Sequence, residues 1–243
     1  MGEGGELAIS IVAWRAELCA GSHRWSNAIP EKNSHTVLPN EPLTPMAVTE
    51  STMMELGHPA PEFSLPAANP EVDEHGDDLR SLSDYDDADA LVVVFMCNHC
   101  PYVKHIEDAL LDVARTYQER GVQFVGICSN DPERYPDDSF DNMAERAREK
   151  DYPFPYLQDE TQEVAAAYEA ACTPDIYVFG DERTLAYRGR FDDTRPDGAD
   201  AHGGDLRQAL DELLSTGEVT MEQAPSMGCN IKWKPNAKPA HAS

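Results

Sequence analysis

Cys97 and Cys100 form a Cys-x-x-Cys pair where an apolar run gives way to an amphipathic stretch. Two thiols three apart on one helical turn have the reach for thiol–disulfide exchange. The reactive species is the thiolate, and a helix N-terminus favours that anion through its unpaired N–H groups and its macrodipole. His99, between the cysteines, can add a positive charge or a hydrogen bond; its plain alternative is a solvent-exposed first-turn residue. The pair itself has two other readings, as small core hydrophobes or as half of a zinc site. The sequence holds no second closely spaced Cys/His pair, so no metal is expected, and no cofactor is implied.

The flanking pattern supplies the elements that must position these sulfurs. Residues 91–96 are unbroken, apolar and rich in β-branched side chains, which predicts a strand buried on both faces. From there Val103, Ile106, Leu110, Val113 and Tyr117 recur at intervals of three and four, a helical period reaching about Arg120. Pro101 suits the first turn, where its missing N–H costs nothing. Gly121 is a stop signal, and residues 122–128 predict a second buried strand. A right-handed crossover makes the two strands parallel, so Cys97 and Cys128 share the carboxyl edge, where sites form in open α/β sheets.

Downstream, residues 139–150 predict a helix with Phe140, Met143, Ala144 and Ala147 on one face, and residues 160–168 another. A short extended piece at 154–157 lies between them. Residues 176–179 and 185–190 flank Gly180-Asp181, a hairpin signal. Residues 206–214 form a last helix with Leu206, Leu210 and Leu213 inward. Upstream, 62–65 is a short strand candidate and 71–78 an acidic hairpin loop with Gly76 at its tip. The order implies an α/β fold, a central mixed sheet flanked by helices on both faces.

The remaining cysteines leave alternatives open. Cys172 precedes Thr173-Pro174 and is a third redox thiol, a gate on access, or a buried small residue. Cys128 reads as a strand-end core residue. Cys229 sits in an irregular segment carrying Ile231 and Trp233; such a tail either folds back as a source of a resolving thiol or leaves Cys229 without a catalytic part.

The segments CNHCPYVKHI (97–106), CTPD (172–175) and PSMGCNIKWK (225–234) together resemble the peroxiredoxin-like (AhpC/TSA-type) proteins of the thioredoxin superfamily, over about residues 56–234. The resemblance implies a thioredoxin-like fold in which Cys97 attacks as the exposed nucleophile and Cys100 resolves. It also implies that Thr173-Pro174 is a cis turn beside the pair, leaving a backbone edge free for substrate. The plain alternative for Pro174 is a trans turn proline. His99 gives a CxHC pattern similar to that of strongly oxidising disulfide oxidases. Two departures matter. The peroxiredoxin frame Pro-x-x-x-Thr/Ser-x-x-Cys, counted back from Cys100, meets Cys97 and Val93 instead of the hydroxyl and the proline. The buried acid and the Trp of thioredoxins are here Leu91 and Met96. The activity implied first is a thiol–disulfide oxidoreductase acting on protein or small-molecule disulfides and recharged by an electron-donating thiol system. A thiol peroxidase and a non-enzymatic redox sensor are the alternatives.

Composition bounds the rest. The chain has 243 residues, 45 acidic against 19 basic, for a net charge of −26, and only six of the bases are Lys. The acids are spread along the whole sequence, which reads as a solvated acidic surface suited to a salty cytoplasm, as in haloarchaea. That field disfavours nucleic acid and anionic membranes as partners. Residues 7–20 are interrupted by Arg15 and Glu17 and match neither a signal peptide nor a membrane span, so a cytoplasmic protein is expected. Residues 1–55, with prolines at 30, 39, 42 and 45, read as an N-terminal extension without packed structure; translation from Met46, Met53 or Met54 is the alternative. Cys19 within it carries no functional weight. Residues 56–216 form the thioredoxin-like domain, and 217–243 an irregular tail.

Overall fold

A computed structural model describes residues 48–73 and 78–242. The expectations for residues 1–47, including Cys19, and for the tip of the acidic loop at Gly76 lie outside the described residues. The described chain begins with β1 (Val48–Glu50), β2 (Ser64–Pro66) and β3 (Leu79–Ser81). The predicted strand–helix–strand unit follows as β4 (Ala90–Phe95), α1 (Pro101–Gln118) and β5 (Val122–Cys128). Next come α2 (Phe140–Lys150), β6 (Tyr156–Gln158), α3 (Glu163–Ala167) and β7 (Cys172–Thr173). The chain ends with β8 (Asp175–Phe179), β9 (Leu185–Gly189), α4 (Gly204–Thr216) and β10 (Met227–Asn230).

Five strands make the central sheet, in the order β6-β5-β4-β8-β9. β4 is parallel to β5 and antiparallel to β8, so the sheet is mixed. Every residue of β4 is buried, and the pleat sends alternate side chains to opposite faces. Val92 and Val94 meet Leu110, Val113, Leu206 and Leu210 from α1 and α4. Leu91, Val93 and Phe95 meet Phe63, Val164, Tyr168 and Tyr177 on the other side. Each such buried side chain contributes about 1.5–3 kcal/mol, and the two layers fix the height of the β4–α1 junction. Gly121, at φ +84°, turns the chain out of α1; a Cβ there would stand 2.1 Å from Asp89 Oδ2.

Three expectations are corrected. Residues 48–50, assigned to the extension, form β1, which pairs with β10 in a separate three-stranded sheet, β1-β10-β7. The tail beyond 216 is not wholly irregular for the same reason: β10 is a strand with partners on both sides. Phe140, grouped with Met143, Ala144 and Ala147 on one face of α2, is 36% exposed, and Met143 and Ala147 are the residues of that face that are buried. No helix among the described residues is long and apolar enough to cross a membrane.

Candidate functional site

β4 ends at Phe95, and the chain reaches α1 through residues 96–100. Cys100 is the N-cap of α1 in an extended conformation, with Pro101 at the first helical position. The missing N–H of Pro101 removes a donor that would otherwise need a partner, and of the first-turn donors the Val103 N–H acts on the Cys100 sulfur. The loop is stapled to the segment before α2. Asn98 donates its backbone N–H to Asp138 Oδ1 at 2.8 Å and its Nδ2 to the Asp137 carbonyl at 2.9 Å.

A second loop comes to the same edge. The Thr173–Pro174 peptide is cis, and Asp175 opens β8 opposite Phe95. Thr173 Oγ1 lies 3.5 Å from Cys97 Sγ, and Cys100 Sγ donates to the Thr173 carbonyl at 3.1 Å. β10 brings a third sulfur: Cys229 lies opposite Thr173 in the ladder, with its Sγ 3.0 Å from Cys100 Sγ. Three thiols and one hydroxyl therefore meet at the N-terminus of α1.

The electrostatics divide these sulfurs. Hydrogen bonds from Cys229 and Cys97, with the Val103 N–H, hold the Cys100 thiol well below its usual range and outweigh its burial. The Thr173 carbonyl works the other way, because it can accept only from the protonated thiol. Burial pushes Cys97 well up, as do its hydrogen bond to Cys100 and the Asp138 charge. The bond to Cys100, followed by burial, raises Cys229, against a smaller opposing effect of Lys232.

These placements correct the sequence reading at Cys97 and at the backbone edge beside it. Cys97 is not exposed: it is 1% accessible, and Cys100 is 0%; with both buried, it is the hydrogen bonds around the Cys100 sulfur, not access, that favour its anion over that of Cys97. The backbone edge expected to be free carries β10. His99 hydrogen-bonds to Asp138 and not to a sulfur, although one of its ring nitrogens lies within 4.8 Å of Cys97 Sγ. Its Nδ1 lies 2.6 Å from Asp138 Oδ2, and its ring stacks on Tyr135 with centroids 5.4 Å apart. Cys172 is buried with its hydrogen bond to the Pro174 carbonyl at 3.5 Å, and burial raises its thiol. Cys128 is buried at the end of β5.

Sequence reasoning missed Asp138 and Gly228. Asp138 is fully buried and also accepts from Asn130 Nδ2 at 2.8 Å; nothing in its spacing from the cysteines marks it. Cys97, His99 and Asp138 bring one ligand atom each within 4.8 Å of one another. Both Asp138 oxygens are already committed to Asn98, His99 and Asn130, so this cluster is better explained as a polar staple than as a cation site. Gly228, beside Cys229, was legible only as a small residue in a tail. A small pocket beside Pro174 is lined by Tyr102, His105, Arg195 and Met227 among others.

A strand–CxxC–helix unit facing a cis-proline turn, on a mixed sheet covered on both faces, defines a thioredoxin-like fold. Residues 56–188 match the AhpC/TSA family, and the chain belongs to it. Among solved structures it is similar to an uncharacterized conserved protein from Geobacillus kaustophilus at 48% identity and TM-score 0.74, over 79% of this chain and 100% of that one. It is also similar to the hypothetical protein SMc02350 from Sinorhizobium meliloti 1021, at 42% identity and TM-score 0.72, over 76% and 98%. A thiol:disulfide interchange protein of the thioredoxin family from Chlorobium tepidum TLS shares the fold at 17% identity and TM-score 0.50, over 67% and 100%. A search of the curated proteins finds no match. The family and the fold together point to thiol redox chemistry as the general function.

Proposed function

We propose that this chain is a thiol–disulfide oxidoreductase acting through the Cys97/Cys100 dithiol on protein or small-molecule disulfides, and recharged by a thiol donor in the cytoplasm. The observation that carries the reading is Cys100 at the cap of α1, with its charge favoured by the Cys229 and Cys97 thiols and the Val103 N–H. The Cys100 thiolate attacks a substrate sulfur, and one half of the substrate leaves as a thiolate. Cys97 then loses its proton and attacks Cys100 in the mixed disulfide, releasing the second half. Two electrons pass to the substrate, and the protein keeps a Cys97–Cys100 disulfide. This order reverses the roles implied by resemblance, because Cys100 has the better-stabilised anion.

The lowered Cys100 thiol also favours a second reading, a thiol peroxidase with Cys100 as the peroxide-reactive sulfur. Peroxide cleavage further needs donors placed for the departing hydroxide. The frame that supplies a hydroxyl in peroxiredoxins has Cys97 in that position, so exchange ranks first. The assay is reduction of insulin by the dithiol protein beside consumption of hydrogen peroxide. Insulin reduction lost in Cys100→Ser, with slow peroxide turnover, is expected. Fast peroxide turnover that survives Cys97→Ser but not Cys100→Ser would reverse the ranking. Absence of any turnover in either assay would leave a redox sensor.

A further inference from the structure

We propose that Cys229 is a third redox thiol that pairs with Cys100, and that β10 carries it as an internal occupant of the β7 edge, where a substrate strand would otherwise lie. The proposal rests on the exchange reading above and adds a resolving residue and a gate to it.

The distance comes first. The Cys100 and Cys229 sulfurs are 3.0 Å apart, about 1 Å beyond the length of an S–S bond. Both residues are buried, at 0% and 2% exposure, so a competing external thiol has little access while β10 is in place.

The register supports the same pairing. Cys229 lies opposite Thr173 and Asn230 opposite Cys172, so Cys229 and Thr173 point to the face that holds Cys97 and Cys100. A slip of one residue would turn Cys229 to the other face. Gly228 allows the approach: a Cβ there would stand 2.0 Å from the Thr173 carbonyl oxygen. Both flanks of β10 are anchored. Ser226 Oγ donates to the Gly189 carbonyl at 2.8 Å, and the Lys232 N–H donates to Asn130 Oδ1 at 2.8 Å.

The chemistry balances without an added oxidant. Starting from the Cys97–Cys100 disulfide, Cys229 gives up its proton and its sulfur attacks Cys100 Sγ. The Cys97–Cys100 bond breaks, the Cys100–Cys229 bond forms, and Cys97 leaves as a thiolate that takes up a proton. Thr173 Oγ1, 3.5 Å from that sulfur, is placed to donate to it. From a mixed disulfide on Cys100, the same attack expels the second substrate thiol. Strand addition to a free edge is a general mode of holding an extended peptide. β10 leaving admits the partner strand; β10 returning displaces it and presents Cys229.

The test is disulfide mapping of the full chain after mild diamide oxidation, alkylation and proteolysis, in wild type, Cys97→Ser and Gly228→Val. A peptide linking Cys100 to Cys229 is expected in wild type and in Cys97→Ser. In Gly228→Val, shown folded by circular dichroism, overpacking should cut its yield about tenfold while the Cys97–Cys100 link persists. Absence of the 100–229 link from both wild type and Cys97→Ser overturns the proposal, and an undiminished yield in Gly228→Val overturns the placement of β10. Insulin reduction is measured on the same samples. The link without insulin reduction supports the pair and overturns the exchange reading; normal reduction without the link does the reverse.

Discussion

β4 and β5 run side by side and parallel, with Phe95 beside Ile127, and each delivers cysteine at its carboxyl end. After β4 a five-residue loop leads into α1, so Cys100 caps a helix, and contacts with two thiols and the Val103 N–H favour its anion. After β5 it enters a loop. Cys128 there is raised by burial first and by Asp138 second, against weaker help from the Asn130 N–H and Tyr156. Being at the edge where α/β sites form is therefore not sufficient. What favours the anion of a sulfur is the balance of its donors against its burial, and only at Cys100 do the donors outweigh burial.

The largest effect should separate the two ends outright. Cys100→Ser should lower insulin-reducing turnover by about a thousandfold or more, as removal of an attacking nucleophile does. Cys128→Ser should leave turnover close to wild type. Loss of turnover in Cys128→Ser, with the fold intact by circular dichroism, would break the comparison.

A second contrast lies in the carboxylates behind the two ends. Asp159, next to β6, is satisfied by neutral donors: Ser129 Oγ at 2.8 Å and the Ala165 N–H at 2.9 Å. Asp175, under the Thr173–Pro174 turn, faces the fully buried Arg188 at 3.3 Å. Removing one partner of a buried pair costs roughly 3–5 kcal/mol, so Arg188→Met should lower unfolding stability by about that amount in urea titration. Ser129→Ala should cost about 1 kcal/mol. Burial raises Asp175 despite the opposing pull of Arg188. A raised acid favours the fold below its unfolded value, and that contribution is lost as pH rises through the folded value. The Arg188→Met deficit should therefore shrink on acidification, where a protonated Asp175 needs no cation; a deficit that grows would show that Arg188 acts by other means.

Asp138 serves both ends at once, and its loss should have a smaller effect. Its negative charge contributes to raising Cys97 and Cys128, and it holds Asn98 and His99. Asp138→Asn should bring both thiols down toward the ordinary range in ultraviolet thiolate titration, at a stability cost of about 1–3 kcal/mol. Unmoved thiols would remove Asp138 from the electrostatics of the edge and leave it a staple.

How much of this was legible in the sequence follows from what each element is made of. β4, α1 and β5 announce themselves because their burial is dictated by long local patterns, an apolar run and then a helical period. β10 does not. Its four residues, Met227-Gly228-Cys229-Asn230, have no period of their own, and they are a strand only because β7 and β1 pair with them. β1 is hidden in the same way, which is why the domain boundary was drawn too late. The cysteines of the pair were legible from spacing, but their burial was not, since the covering strand comes from more than a hundred residues downstream. Asp138 shows the same limit: its role depends on the fold bringing residues 98, 99, 130 and 138 together.

The smallest effect concerns salt, and it separates the surface from the buried sulfurs. With a net charge of −26, exposed carboxylates repel one another over a Debye length of about 10 Å at 0.1 M salt and about 3 Å at 1 M. Salt also weakens exposed pairs such as Arg115–Asp151, Lys150–Asp108 and Arg207–Asp112, but each is worth at most about 1 kcal/mol. The excess of acids makes relief of repulsion the larger contribution, so the thermal midpoint should rise between these concentrations of KCl. Cys100 should behave differently. Its anion is favoured by donors in contact with it inside the protein, where screening by mobile ions is weak, so the pH dependence of its alkylation should hardly move over the same range. A flat thermal midpoint would sink the reading of the surface as adapted to salt. A Cys100 profile that moves along with the midpoint would mean that the surface field, and not the cap of α1 with its neighbouring thiols, sets Cys100 apart from Cys128.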